Sequence, residues 1–471
     1  MKRILFTLSF CLLVGGAAWS KAFLRWTEPV LPPRGKLGIS ELVIPWNNNS
    51  PSFIHDANRR GYRVYLELSS QQAMNAVPVI GRQSIAGLVI SAGDEPDPAA
   101  VVNKIRATYP KMKVLFQLPG KQPQMRGQTV VTRDGILQVS SATAQPWLDS
   151  NLAMIRFHQA FDQIQVPLYT FSWQLSDSLE QQTGPTIEDY ALAIVESGSL
   201  HADLVLHLHE SLQKGLVSNQ AVAWKNWQKL LACLRFTTAA ATADLAPWSD
   251  VGALTDDYET AYEPMNLMAR HNIPFRVLHG DVTEDALSGL KLIAVFTPPG
   301  QAKADALRAF ANNGGTVVMV DVKGSYAWRS SPAIPIAEHA LAYSTGRGRV
   351  IELTEPVGDP EIFAADLRRL IGKDLLISLW NALTTIAVPY RNRRTGALVI
   401  ELVNYALEPM RIQVEVKGAF SQIRYETPER GCCQNLSVVK HGPFTEFIIP
   451  SLIIAGRVHL EPDLGKLTAG K

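Results

Sequence analysis

The stretch ADLVLHLHESLQKG (residues 202–215) runs apolar and then turns polar at His207, His209 and Glu210. It reads as a short strand passing into a helix. Six earlier runs have the same character: ISELVIPW (39–46), YRVYLELS (62–69), IAGLVISAG (85–93), MKVLFQLPG (112–120), GILQVSS (135–141) and PLYTFSWQL (167–175). Helical patterns separate several of them. DPAAVVNKIRATYP follows the third run, with Asp97 placed to cap and Pro98 at the first helical position. Strands alternating with helices imply parallel pairing through helical crossovers. Seven runs within roughly 200 residues predict a TIM-type (β/α) barrel over 21–240, complete or one strand short. WKNWQKLLACLRF (224–236) would close it, and an additional strand in FLRWTEP (23–29) would move the strand count by one. A doubly wound open sheet is the rival, but no Gly-rich dinucleotide-type turn follows any run.

Downstream the pattern changes twice. TTAAATADLAPWSD (237–250) reads as a linker. A second α/β block of flavodoxin-like type is expected over 250–373, where the helix AKADALRAFANNGG stops at glycine before the strand TVVMVD. From 374 to 463, segments such as TGALVIELVNYA and MRIQVEVKG alternate apolar with polar residues. That is the signature of a small antiparallel β-sandwich. Residues 464–471 read as a tail.

The totals narrow the function classes. Of 471 residues, 45 are basic and 43 acidic, giving a net charge of +2. There is no basic block, so nucleic acid gains no electrostatic support as a partner. Lys2 and Arg3 precede the apolar ILFTLSFCLLVGGAA, and small residues surround a cut after Ser20. Residues 1–20 therefore read as a signal peptide, and the mature protein as secreted or periplasmic with no membrane span after cleavage. Three cysteines then remain: Cys233, Cys432 and Cys433. Adjacent cysteines bridge each other only with strain, so a bridge from Cys233 to that pair, or free thiols, stay open. No C-x-x-C occurs, which argues against a structural zinc site.

The block VGALTDDYETAYEPMNLMARHNIPFRVL together with ALRAFANNGGTVVMVD resembles the glutamine-amidotransferase-like domain, usually called the trimerisation domain, that follows the barrel in certain β-galactosidases. The order barrel, amidotransferase-like domain, β-sandwich is similar to those enzymes as well. The resemblance implies a glycoside hydrolase acting on an oligo- or polysaccharide, and a homo-oligomer by the domain's usual name. Active amidotransferases use a Cys nucleophile, and no Cys lies between Cys233 and Cys432, so this domain reads as a non-catalytic support.

Glycosidases need two carboxylates, spaced about 5–5.5 Å for retention or about 6.5–9.5 Å for inversion. The resemblance implies that they stand on the fourth and seventh barrel strands. Glu210 ends the seventh run and reads as nucleophile or base. Asp94 or Glu95, in SAGDEPDP, is the candidate acid, but it follows the third run, and Asp-Glu stands where the family has Asn-Glu. Glu67 and Asp177 are reserves, Glu67 with the competing role of a buried pair with an arginine. Trp46, Trp147 and Trp173 lie at strand ends where a sugar could stack, and Asn47 follows Trp46 with amide hydrogen bonds to offer. No cofactor is needed. His207 and His209, two apart on a strand, share a face and raise a metal-dependent hydrolase as a third reading. A catalytic zinc needs another ligand that the other strand ends do not supply, so local hydrogen bonding is the expected role of both histidines. A barrel that has lost its carboxylate pair and only binds glycan or an envelope protein is the alternative to an enzyme.

Overall fold

A computed structural model describes residues 21–463 apart from 48–49, 76–79, 81–83, 92–97, 111, 118–123, 126–129, 134–135, 140–150, 162–167, 171, 174–184, 239–244, 281, 383 and 407. Seven parallel strands close a barrel in sequence order around the ring. They are β1 (Ala22–Arg25), β2 (Glu41–Pro45), β3 (Arg63–Ser69), β4 (Gly87–Ser91), β5 (Lys113–Gln117), β6 (Leu168–Thr170) and β7 (Asp203–His207). β7 pairs directly with β1, Leu204 facing Ala22, so an eighth strand is not required for closure. Among the described residues, β5 meets β6 with Gln117 opposite Leu168.

Two features differ from the reading of the sequence. The strand within FLRWTEP exists and comes first, which moves the first four runs up by one in the barrel count. GILQVSS contributes no barrel strand. Its Ile136–Val139 pairs antiparallel with Val130–Arg133 as a separate two-stranded sheet. The chain between these two strands reads Asp134-Gly135, a hairpin signal that overrides the parallel crossover pattern.

Alternation along each strand sorts the side chains into two sets. Phe23, Val43, Tyr65, Val89, Leu115, Leu168 and Val205 form a small core of their own inside the ring. Leu24, Leu42, Leu66, Leu88, Val114, Leu204 and Leu206 face outward and join the large core under the helices. A ring of this size is filled by side chains and is not a pore. Gly87 sits where β4 crowds β5: a Cβ there would lie 2.2 Å from the Lys113 carbonyl oxygen.

The outer helices include α1 (Ser50–Arg59), α2 (Pro98–Thr108), α3 (Leu152–Phe161), α4 (Ile187–Ser199), α5 (Glu210–Val217) and α6 (Ala221–Thr238). Thr186 and Asp189 form a reciprocal capping box at the start of α4. Among the described residues no helix is long and apolar enough to cross a membrane.

The middle domain is a seven-stranded sheet of order β9-β8-β10-β11-β14-β13-β12. Its strands are β8 (Val251–Leu254), β9 (Phe275–Leu278), β10 (Leu292–Val295), β11 (Thr316–Val320), β12 (Ala333–Ala337), β13 (Ala340–Thr345) and β14 (Gly348–Leu353). The first five strands in that order are parallel, and β12 and β13 add an antiparallel edge. Helices α7 (Tyr258–Arg270), α8 (Gln301–Asn312) and α9 (Pro360–Ile371) accompany the sheet.

The last block is an antiparallel sandwich. Its strands are β15 (Ile377–Trp380), β16 (Thr385–Asn392), β17 (Leu398–Asn404), β18 (Met410–Lys417), β19 (Phe420–Thr427), β20 (Gly431–Asn435), β21 (Val439–His441), β22 (Phe444–Leu452) and β23 (Ala455–Pro462). One sheet has the order β16-β17-β23-β19-β20, extended beyond β16 by Leu245–Pro247 from the linker. The other has the order β15-β18-β22-β21. Cys432 and Cys433 on β20 are bridged to each other, while Cys233 is a buried free thiol on α6.

Candidate active site

The carboxyl ends of the barrel strands converge on a polar layer above the internal apolar plug. Arg25, Glu67 and His207 each stand two residues beyond an inward-facing core residue, namely Phe23, Tyr65 and Val205. By strand alternation they share the inside of the mouth. Arg25 Nε donates to Glu67 Oε2 at 2.6 Å, and Arg25 Nη1 lies 2.9 Å from His207 Nε2. Glu67 thus takes the arginine-paired role weighed for it above. His207 is exposed to solvent. The packed barrel wall, and after it the Arg25 charge, push its pKa down to about 4, so it is neutral at pH 7.

Glu210 does not sit on strand β7, which ends at His207. It is the first residue of α5, capped by His209. The His209 Nδ1 accepts from the Ser211 amide, and the His209 amide donates to the Tyr190 hydroxyl at 2.8 Å. The two histidines therefore have different roles: His207 belongs to the strand and the mouth, His209 to the helix cap. The Glu210 side chain is 61% exposed and pairs with Lys214 one turn along α5. That hydrogen bond and charge hold its carboxyl below the usual range and keep it anionic. Glu28, beyond the end of β1, adds to the negative field at Lys214.

A cleft of about 540 Å³ opens beyond β1 and β2, lined by Trp26, Glu28, Asn47, Ser50, Phe53 and Asp56 among others. Asn47 is exposed and lines it, with its amide bonded to Ser50 Oγ at 2.8 Å. Trp46 is only partly buried and packs against the large outer core, so its ring is shared between packing and the surface. A larger groove of about 840 Å³ runs along α4 and α6 against the sandwich, bordered by Leu192, Lys229 and Tyr405. It lies on helix flanks, away from the strand ends where barrel chemistry is placed.

Asp94, Glu95, Trp147 and Asp177 lie outside the described residues. Strand β4 ends at Ser91 and α2 begins at Pro98, so Asp94 and Glu95 belong to the connection leaving the fourth barrel strand. Trp173 belongs to a two-residue strand, Ser172–Trp173, that pairs in parallel with Gln124–Met125 outside the ring. Among the described residues, His207 and His209 join no third ligand. Among the described residues, the one group with metal-binding proximity is Glu426 with Cys432 and Cys433, in the sandwich. Arg25 went unread in the sequence. Its signal was the strand parity of FLR, which becomes visible once that segment counts as the first strand.

No protein-family model and no curated protein matches the sequence. Solved structures do match in shape. One is an α-L-fucosidase isoenzyme 2 from Paenibacillus thiaminolyticus, with a TM-score of 0.59 at 10% identity over 95% of this chain and 100% of that one. Another is a β-galactosidase from Rahnella sp. R3, with a TM-score of 0.58 at 9% identity over 95% and 99% of the two chains. A third is the GH42 β-galactosidase Gan42B from G. stearothermophilus, at 0.54 and 9% over 95% and 99%. The fold is shared with glycoside hydrolases. The resemblance drawn from the middle block thus extends to the architecture of the chain, barrel and sandwich included.

Proposed function

We propose that the chain is an exported glycoside hydrolase acting on an oligo- or polysaccharide, with Glu210 as nucleophile or base and Glu95 or Asp94 as acid. The observation that carries this reading is the strand count. With Ala22–Arg25 as the first barrel strand, IAGLVISAG becomes the fourth and ADLVLHLHE remains the seventh. Asp94-Glu95 then follows strand four and Glu210 follows strand seven, the two places that the family resemblance implies. The anionic state of Glu210 suits a nucleophile or base. Asn47 and the cleft beyond β1 and β2 would hold the sugar, with Trp46 and Trp173 as further candidates.

The test is the hydrolysis of a panel of aryl glycosides by the parent protein, Glu210→Gln and Glu95→Gln. Loss of a positioned acid or base costs ~10²–10⁴-fold in rate. A hydrolytically active parent whose Glu210→Gln variant is equally fast sinks the assignment.

A second reading has its own observation. Two carboxylates beside the strand ends are tied to cations, Glu67 to Arg25 and Glu210 to Lys214. A barrel of this kind binds glycan, or an envelope protein, without cleaving anything. Glycan-array binding with no turnover of the bound sugars would favour it.

A further inference from the structure

Strands β19 and β20 pair antiparallel with Tyr425 opposite Gln434 and Thr427 opposite Gly431. Between those pairs β19 has one residue, Glu426, and β20 has two, Cys432 and Cys433. This is the one-against-two arrangement of a β-bulge, which re-aims side chains at a sheet edge. Here it turns a carboxylate toward two sulfurs, and ligand atoms of all three residues lie within 4.8 Å of one another. Strand β20 is the exposed end of its sheet.

The carboxylate is held from behind. Glu426 Oε1 lies 2.9 Å from Arg457 Nη1 and 3.0 Å from His459 Nε2. Arg457 does not present a bare positive charge to the sulfurs, because Glu401 Oε1 accepts from its Nε at 2.6 Å. An anchored carboxylate beside two thiol positions is the arrangement by which outer contacts orient a metal ligand.

We propose that Cys432, Cys433 and Glu426 form a redox-gated site for a thiophilic divalent cation such as zinc. In the structure the two sulfurs are bonded to each other and the site is closed. Two thiols, or one phosphine with one water, open it by supplying two electrons. The S–S bond breaks and each sulfur takes a proton, from the thiols or from the water; the thiols leave as their disulfide, or the phosphine leaves as its oxide with the water's oxygen. Binding of the cation then displaces both thiol protons and forms two metal–thiolate bonds. Glu426 supplies the third ligand, and the solvent-facing side of β20 leaves the fourth position to water.

The experiment uses the full chain and zinc chloride, with a chromophoric chelator as competitor. Protein treated with a phosphine reductant should take one equivalent of zinc, and untreated protein none. The Cys432→Ser/Cys433→Ser double variant should take none in either state. Glu426→Gln and His459→Ala should each weaken binding by about 10- to 100-fold, with circular dichroism showing that all variants stay folded. Equal zinc uptake by the reduced parent and the double serine variant overturns the site. Equal uptake by reduced and untreated parent overturns the gating, and undiminished affinity in Glu426→Gln overturns the three-ligand set.

Discussion

His201 shows how much a single residue carries at the joint between barrel and sandwich. It follows α4 in a left-handed backbone conformation, with φ of 57°. Its ring stacks on Tyr390 of β16 at 4.4 Å, and its Nε2 is buried with no hydrogen-bond partner among the described residues. Burial first, then the charges of Arg156 and Arg457, push its pKa down to about 3 from 6.5. The unfolded chain therefore binds a proton that the folded chain refuses between pH about 6.5 and about 3. Stability from the neutral ring is complete above that window and is lost as pH falls through it, by up to about 1.4 kcal/mol per pH unit. Asparagine tolerates the left-handed backbone and does not titrate. The stability difference between parent and His201→Asn, followed by denaturant unfolding, should be flat above pH 6.5 and shift toward the variant as pH is lowered. A pH-independent difference would show that the ring is protonated as easily folded as unfolded. None of this was legible in the sequence, where His201 is one polar residue before a strand.

At the scale of elements, a buried carboxylate joins α4 to the sandwich. Glu196 is 1% exposed. It accepts from the Asn151 amide and side chain at 2.8 Å each, and from the Tyr405 hydroxyl at 2.6 Å. Desolvation outweighs these bonds and raises its pKa. A group this deep is held by its donors, so each donor counts. Tyr405→Phe deletes one of them without changing shape and should cost about 1.5–3 kcal/mol, seen as a lower denaturant midpoint at constant m-value. An unchanged midpoint would mean that the bond is replaceable by water. Periodicity marks 187–199 as a helix and 398–404 as a strand. Periodicity says nothing about which helix a given strand docks on, so the Glu196–Tyr405 contact, 209 residues apart in sequence, had no local trace.

The three parts of the chain pack as one body. A single apolar cluster includes Leu24 and Leu204 of the barrel, Met265 and Phe363 of the middle domain, and Tyr390 and Tyr405 of the sandwich. Arg156 of α3 reaches the Tyr390 hydroxyl at 3.2 Å, and that hydroxyl donates to the Ser199 carbonyl at 2.7 Å. Asn272, just after α7, brackets β16 through two backbone bonds, at Thr385 and Ala387. Surfaces shared to this degree melt together. Differential scanning calorimetry should give one endotherm for the whole chain, and two resolved transitions would contradict the shared core.

Local chemistry in the sequence determined the kind of each part. Alternating strands and helices specified parallel pairing, and two-residue periodicity specified the sandwich. Tertiary structure decided what those parts mean. Closure of the ring counted Ala22–Arg25 as the first strand and set aside the segment around Asp134-Gly135, because pairing depends on partners that no window contains. The same closure made Gly87–Ser91 the fourth strand and brought Arg25, Glu67 and His207 to one mouth. Those three residues are up to 182 positions apart, and only a closed parallel sheet makes them neighbours.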